Sequence, residues 1–208
     1  MNPQFIKQQN EERLRSLGVQ VNAHLPVLES PSELSPRSAA AVAGRAFVLG
    51  YVIGIGYGQS GSALLARIQR QGISDYLSPA ERNLLNQHHY TDHDKASAKW
   101  LTEAVQACAW ALGLVELRSI EGCDDNLADH FMSPDVRPLE RILSATLRPF
   151  EQLYSQADFN YRLHWALVQS RLNGSPMPQK EAFAQMRRRT SDWIIGVPFE
   201  WDDIPTDT

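Results

Sequence analysis

Twelve consecutive residues from Ala46 to Tyr57 (AFVLGYVIGIGY) carry no charge, and any fold of this chain has to take them out of water. Crossing roughly 30 Å of hydrocarbon takes about 20 such residues in a helix. The run falls short of that, with Arg45 before it and Gly58-Gln59-Ser60 after it, so it reads as a buried core helix. Its glycines disfavour helix by up to ~1 kcal/mol each relative to alanine. Gly50 and Gly54 lie one turn apart, which predicts close approach of a neighbouring helix there. A phosphate-cradling loop at Gly54-Ile55-Gly56-Tyr57-Gly58 would need a preceding strand, and none is in view.

Starts and stops around this run are mostly helical. Asn2-Pro3 opens a first helix through Phe5, Ile6, Leu14 and Leu17, closed by Gly18. Residues 19–26 alternate and then meet proline, which predicts extended chain or a minor edge strand near 19–25. The prolines and serines of 29–35 make a loop. Ser35-Pro36 is an N-cap with proline at the first helical position, which predicts a helix to about Gly58. Ser62–Gln71 follows, then a capping box at Ser78-Pro79-Ala80-Glu81. A helix starting at Thr91 or Asp92 and ending at Gly113 is apolar all round, so it should be the central, fully wrapped element, about 95–113. Helical patterns return at 138–145, 148–155, 158–173 and 178–195. The expected class is all-α: one multi-helix domain over 35–208 with an acidic C-terminal tail, preceded by a helix and linker over 1–34.

The motifs Ala109-Trp110-Ala111-Leu112-Gly113-Leu114, Cys123-Asp124, Leu147-Arg148, Asp158-Phe159-Asn160-Tyr161-Arg162-Leu163-His164-Trp165-Ala166, Trp201-Asp202-Asp203 and the terminal Thr206-Asp207-Thr208 occur in this order. Together with Arg37–Leu49, Trp100 and Glu103, they resemble the bacterial family known as domain of unknown function 4272, over roughly residues 35–208. The resemblance implies a largely helical single domain and carries across no catalytic residues. The chain departs from the family's usual pattern at Met186-Arg187-Arg188-Arg189 and Asp192-Trp193-Ile194-Ile195.

Chemistry concentrates near residue 160. On a helix Asp158, Tyr161, Arg162 and Trp165 share one face, and Glu103 is a carboxylate on the apolar central helix. A buried carboxylate has to be paired or protonated. The favoured expectation is a structural polar network of Glu103, Asp158, Tyr161, Arg162, Asp202 and Asp207 that fastens the tail to the helices. The alternative is a hydrolase-type cleft formed by Glu103, Arg162 and His164. His89 and His93 would share a face of a continuous helix and could take zinc or nickel, but the Thr91-Asp92 helix start breaks that spacing and favours a solvated loop. Cys108 is expected to be inert in the core, and Cys123 lies in a loop. No nucleophile elbow, zincin or kinase motif is present, and no cofactor is implied.

The net charge of −4 argues against a nucleic-acid partner, since phosphate neutralisation dominates that affinity. No signal-peptide pattern opens the chain, and two cysteines make no disulfide framework, so a cytoplasmic location is expected. A non-enzymatic module that binds another protein fits these features. Its most concrete form is an immunity protein that plugs a secreted bacterial toxin, the acidic balance suiting a basic target.

Overall fold

A computed structural model describes residues 1–117, 120, 122–124 and 126–206. Among these residues the ordered elements are helical, with no strand. The fold is all-α, as expected. By contacts the chain groups into two units, one of residues 1–37 with 148–208 and one of 38–147. The N-terminal helix falls in the unit that holds the C-terminal part.

In the first unit, helix α1 (Pro3–Ser16) starts at Asn2, whose side chain accepts the Gln4 and Phe5 N–H groups. Its buried stripe is Ile6, Asn10, Glu11 and Leu14, and Phe5 is exposed, contrary to the apolar pattern. Residues 19–26 form no strand and turn at Ala23-His24, where Lys7 donates to the carbonyls of Ala23 and Leu25. Asp158 starts no helix. The patterns at 148–155 and 158–173 belong to one helix, α8 (Phe150–Leu172), because Gln156 at the supposed break is buried and donates to Asn160 Oδ1 at 3.0 Å. Helix α9 (Pro178–Ile195) packs on α8 and ends at Gly196, φ +87°. The segment before residue 38 presses on that end: Arg37 N–H donates to the Ile194 carbonyl at 3.0 Å.

In the second unit, α2 (Ala39–Val52) is capped by Ser38, whose hydroxyl accepts the Ala41 N–H, and continues as a 3-10 turn, Ile53–Tyr57. Ser35-Pro36 therefore opens no helix. The 19-residue run Ala39–Tyr57 is long and apolar enough to cross a bilayer on length and composition, longer than the twelve-residue stretch suggested. Its side chains Val42, Ala46, Val48, Leu49 and Val52 are fully buried in this unit. It packs on α5 (Asp92–Ala111), started by the Thr91–Asp94 capping box. At Gly56 the two backbones come close, since a Cβ there would stand 2.9 Å from the Lys95 carbonyl oxygen. At Gly50 and Gly54, by contrast, a Cβ would meet the side chains of Met132, Leu64 and Gln59. Burial of α5 is continuous only from Glu103 to Ala109, while its first turns are largely exposed, so it is wrapped over its C-terminal half alone. Shorter helices α3 (Gly61–Arg70), α4 (Pro79–Leu85), α6 (Leu127–Met132) and α7 (Pro138–Leu143) complete the unit. The predicted capping box at Ser78 is formed, and Glu81 within it also takes Arg45 at 2.7 Å as a buried ion pair.

Candidate functional site

Arg162 is a fully enclosed charge in the first unit, with a side-chain exposure of 0%. It grips Asp158 through two bonds, Nε to Oδ2 at 2.9 Å and Nη2 to Oδ1 at 2.7 Å. This is the i,i+4 pair that the sequence spacing predicts. The remaining partners come from the N-terminal segment: Glu11 lies 3.5 Å from Nη1, and the Pro26 carbonyl accepts from Nη2 at 2.9 Å. Asn10 donates to Asp158 Oδ2 and to the Ser155 carbonyl. Both carboxylates are thereby compensated, which a low-dielectric interior requires. Sequence reasoning missed Glu11 and Asn10, because polar residues on a terminal helix read as its wet face.

The C-terminal tail is held by other groups. Trp201 meets Trp193 edge-on at 5.5 Å, the Arg189 guanidinium lies 5.0 Å from the Trp201 ring, and Arg189 donates to the Trp201 carbonyl at 2.7 Å. Gln185 donates to Thr206 Oγ1. Asp202 is half-buried in a short 3-10 turn, and Asp207 lies outside the described residues. Among the described residues the Asp158–Arg162 charges meet α1 and Pro26, and Trp193, Arg189 and Gln185 meet the tail.

Glu103 belongs to the second unit, and Arg162 and His164 belong to the first. It is buried and accepts from Cys123 Sγ at 3.2 Å; one turn on, Gln106 Oε1 accepts the Asp124 N–H at 3.1 Å. Both side chains tie the loop after α5 back to that helix. Cys108 is fully buried and its thiol is pushed up to about 12 by burial, the inert state expected. His89 is an exposed loop residue, and His93 is exposed in the first turn of α5, so they share no helical face. Among the described residues no group of three His, Cys, Asp or Glu is arranged to hold a metal.

Asp192 and Arg188, on α9, complete the polar interior, and neither was among the expected site residues. Asp192 Oδ2 stands 3.5 Å from Arg188 Nε, and Oδ1 has no hydrogen-bond partner among the described residues. Burial pushes this carboxyl up to about 7, opposed by Arg188 and aided by Glu29. His164, 2% exposed, moves the other way: burial, then Arg188 and Arg171, bring its imidazole down to about 4. Arg188 Nη1 lies 3.3 Å from His164 Nδ1, which as a neutral nitrogen accepts. Tyr161 faces the same guanidinium at 5.0 Å, and burial raises its phenol.

These two shifts have opposite consequences for stability. Asp192 stabilises the fold fully below its ordinary carboxylate pKa, and that contribution is lost as pH rises through about 7. The contribution of neutral His164 is present above its ordinary pKa and is lost as pH falls through about 4. Asp192→Asn removes the first dependence and leaves the second. By differential scanning fluorimetry the variant should melt above the native chain at pH values over about 7, and lose more stability than the native chain between about pH 6.5 and 4. Identical pH profiles for the two chains would contradict these assignments.

The fold and this interior define an all-α protein whose conspicuous charges are paired within its own packing. The chain belongs to the family described as Domain of unknown function (DUF4272), whose model matches residues 6–204. That match extends the resemblance from about residue 35 back into α1, the helix that supplies Glu11. No curated protein and no solved structure matches the chain.

Proposed function

We propose that this chain is a non-enzymatic module that binds another protein in the cytoplasm, with an immunity protein against a basic secreted toxin as the concrete form. The observation carrying this reading is an exposed leucine pair on α7. Leu139 and Leu143 lie one turn apart on one helix face and are 48% and 85% exposed. Scattered apolar residues on a surface need no explanation, but two large ones on one turn offer a continuous apolar contact to a partner. The net charge of −4 complements a basic partner and would speed its encounter. The hydrolase alternative draws no comparable support: Arg162 is committed to Asp158, Glu11 and the Pro26 carbonyl, and Glu103 receives the Cys123 thiol.

The test is binding to, and protection from, the products of the genes flanking this one. A neighbouring basic protein should bind the native chain. Leu143→Asp should weaken that complex at least tenfold, about 1.4 kcal/mol, without lowering the melting temperature. Absence of binding and of protection for every neighbouring product would overturn the proposal.

A further inference from the structure

The second unit contains an open groove of about 440 Å³, within the roughly 300–1,000 Å³ typical of small-ligand sites. One wall is the end of α2 and its 3-10 extension, which bring Tyr51, Gly54, Tyr57 and Gln59; the other is α3 and its end, which bring Arg67, Arg70 and Gln71. Arg67 and Arg70 sit at i,i+3, one face of α3, and neither has an ion-pair or hydrogen-bond partner among the described residues. The side-chain amides of Gln59 and Gln71 are likewise without a partner there. Tyr57 is 72% exposed, with Lys99 Nζ 5.3 Å from its ring centre, although the 3-10 turn that carries it is otherwise buried at Gly54, Ile55 and Gly56. The groove therefore joins two uncompensated guanidiniums, two phenol rings and two amides on one concave surface.

We propose that this groove binds a mononucleotide, its phosphate held by Arg67 and Arg70 and its base laid against Tyr51 and Tyr57 within reach of Gln59 and Gln71. Guanidinium forks match phosphate oxygens in charge and geometry. Tyrosine faces stack on any base, and an amide offers both the donor and the acceptor that a base edge needs. Gly54 at the floor has no side chain to obstruct the ligand. The phenol rings beside the guanidiniums favour a ligand that carries a flat aromatic group together with its phosphate. The net charge of −4 disfavours a nucleic-acid polymer, whose affinity rests on many phosphate contacts, but does not oppose a single phosphate held by two arginines. This inference is independent of the protein-binding proposal, which rests on α7.

Isothermal titration calorimetry of the full chain with the four ribonucleoside monophosphates, the matching nucleosides and inorganic phosphate tests it. At least one monophosphate should bind at least tenfold more tightly than inorganic phosphate or its own nucleoside. The double variant Arg67→Ala/Arg70→Ala should lose about tenfold or more in affinity, and Tyr57→Ala should weaken the nucleotide selectively. These side chains are exposed, and circular dichroism of each variant verifies that its fold is native. The proposal is overturned if no monophosphate binds at millimolar concentration, or if phosphate alone binds as well. It is equally overturned if an acidic peptide binds more tightly than every monophosphate, or if natively folded variants bind as the parent does.

Discussion

Arg162→Met should destabilise the chain by about 3–5 kcal/mol, the cost of leaving a buried carboxylate without its cation. Asp158 is 1% exposed and is left without a cation once the guanidinium is gone, whereas Glu11 keeps Lys7 and Arg15. The Pro26 carbonyl loses a donor as well. Against a total stability of about 5–15 kcal/mol, that is a large fraction, and urea unfolding should show it as a fall in midpoint at little-changed slope. Because the penalty comes from orphaned charge, and Glu11 keeps Lys7 at 3.7 Å and Arg15 at 3.1 Å, removing Asp158 as well should recover most of it. The double variant Arg162→Met, Asp158→Leu is therefore expected to unfold closer to the native midpoint than the single one, as replacement of a whole buried ion pair by apolar residues often does. A double variant no more stable than the single one would show that packing, rather than charge, sets the cost.

The second large effect is expected at Gly196→Ala, about 2 kcal/mol or more. Gly196 has φ +87°, where an L side chain alone costs about 1–2 kcal/mol. Its added Cβ would also fall 1.9 Å from the Ser35 carbonyl oxygen, a backbone atom with no rotamer to change. Either the end of α9 or the 35–37 segment would have to move, disturbing the bond from Arg37 N–H to the Ile194 carbonyl. Gly113→Ala provides the comparison: its φ is +74°, but nothing lies within 4 Å of the added Cβ. Thermal melts should therefore place Gly196→Ala clearly below Gly113→Ala, and equal losses would mean that backbone strain alone acts at both sites.

Local capping chemistry was legible in the sequence wherever one side chain settles the matter. Ser78 with Glu81, Thr91 at the start of α5, and Gly196 after α9 all do in the structure what their positions predict. The i,i+4 pairing of Asp158 with Arg162 was equally readable. Failures arose where a distant segment decides. Ser35-Pro36 has the form of a helix start, yet the Arg37 N–H is taken by the end of α9, so α2 begins only after Ser38. Glu11 looks like one more polar residue of a surface helix until the partner Arg162, far along the chain, is placed beside it. The ring contacts of Trp201 in the tail were hidden in the same way, since Trp193 and Arg189 lie on another element. Pairings across more than a hundred residues leave no spacing signature in a single sequence, and the groove of Tyr51, Tyr57, Arg67 and Arg70 is hidden for a related reason: each residue is unexceptional on its own helix.

The central claim is that the charges around Arg162 are a fastening for the N-terminal segment. Hydrogen–deuterium exchange on Arg162→Met, under conditions where the variant remains mostly folded, tests it most directly. Exchange should accelerate first and most in α1 and around Pro26, with the core of α5 in the second unit still protected. If α1 keeps its native protection in the variant, those charges do not hold it and the claim is wrong.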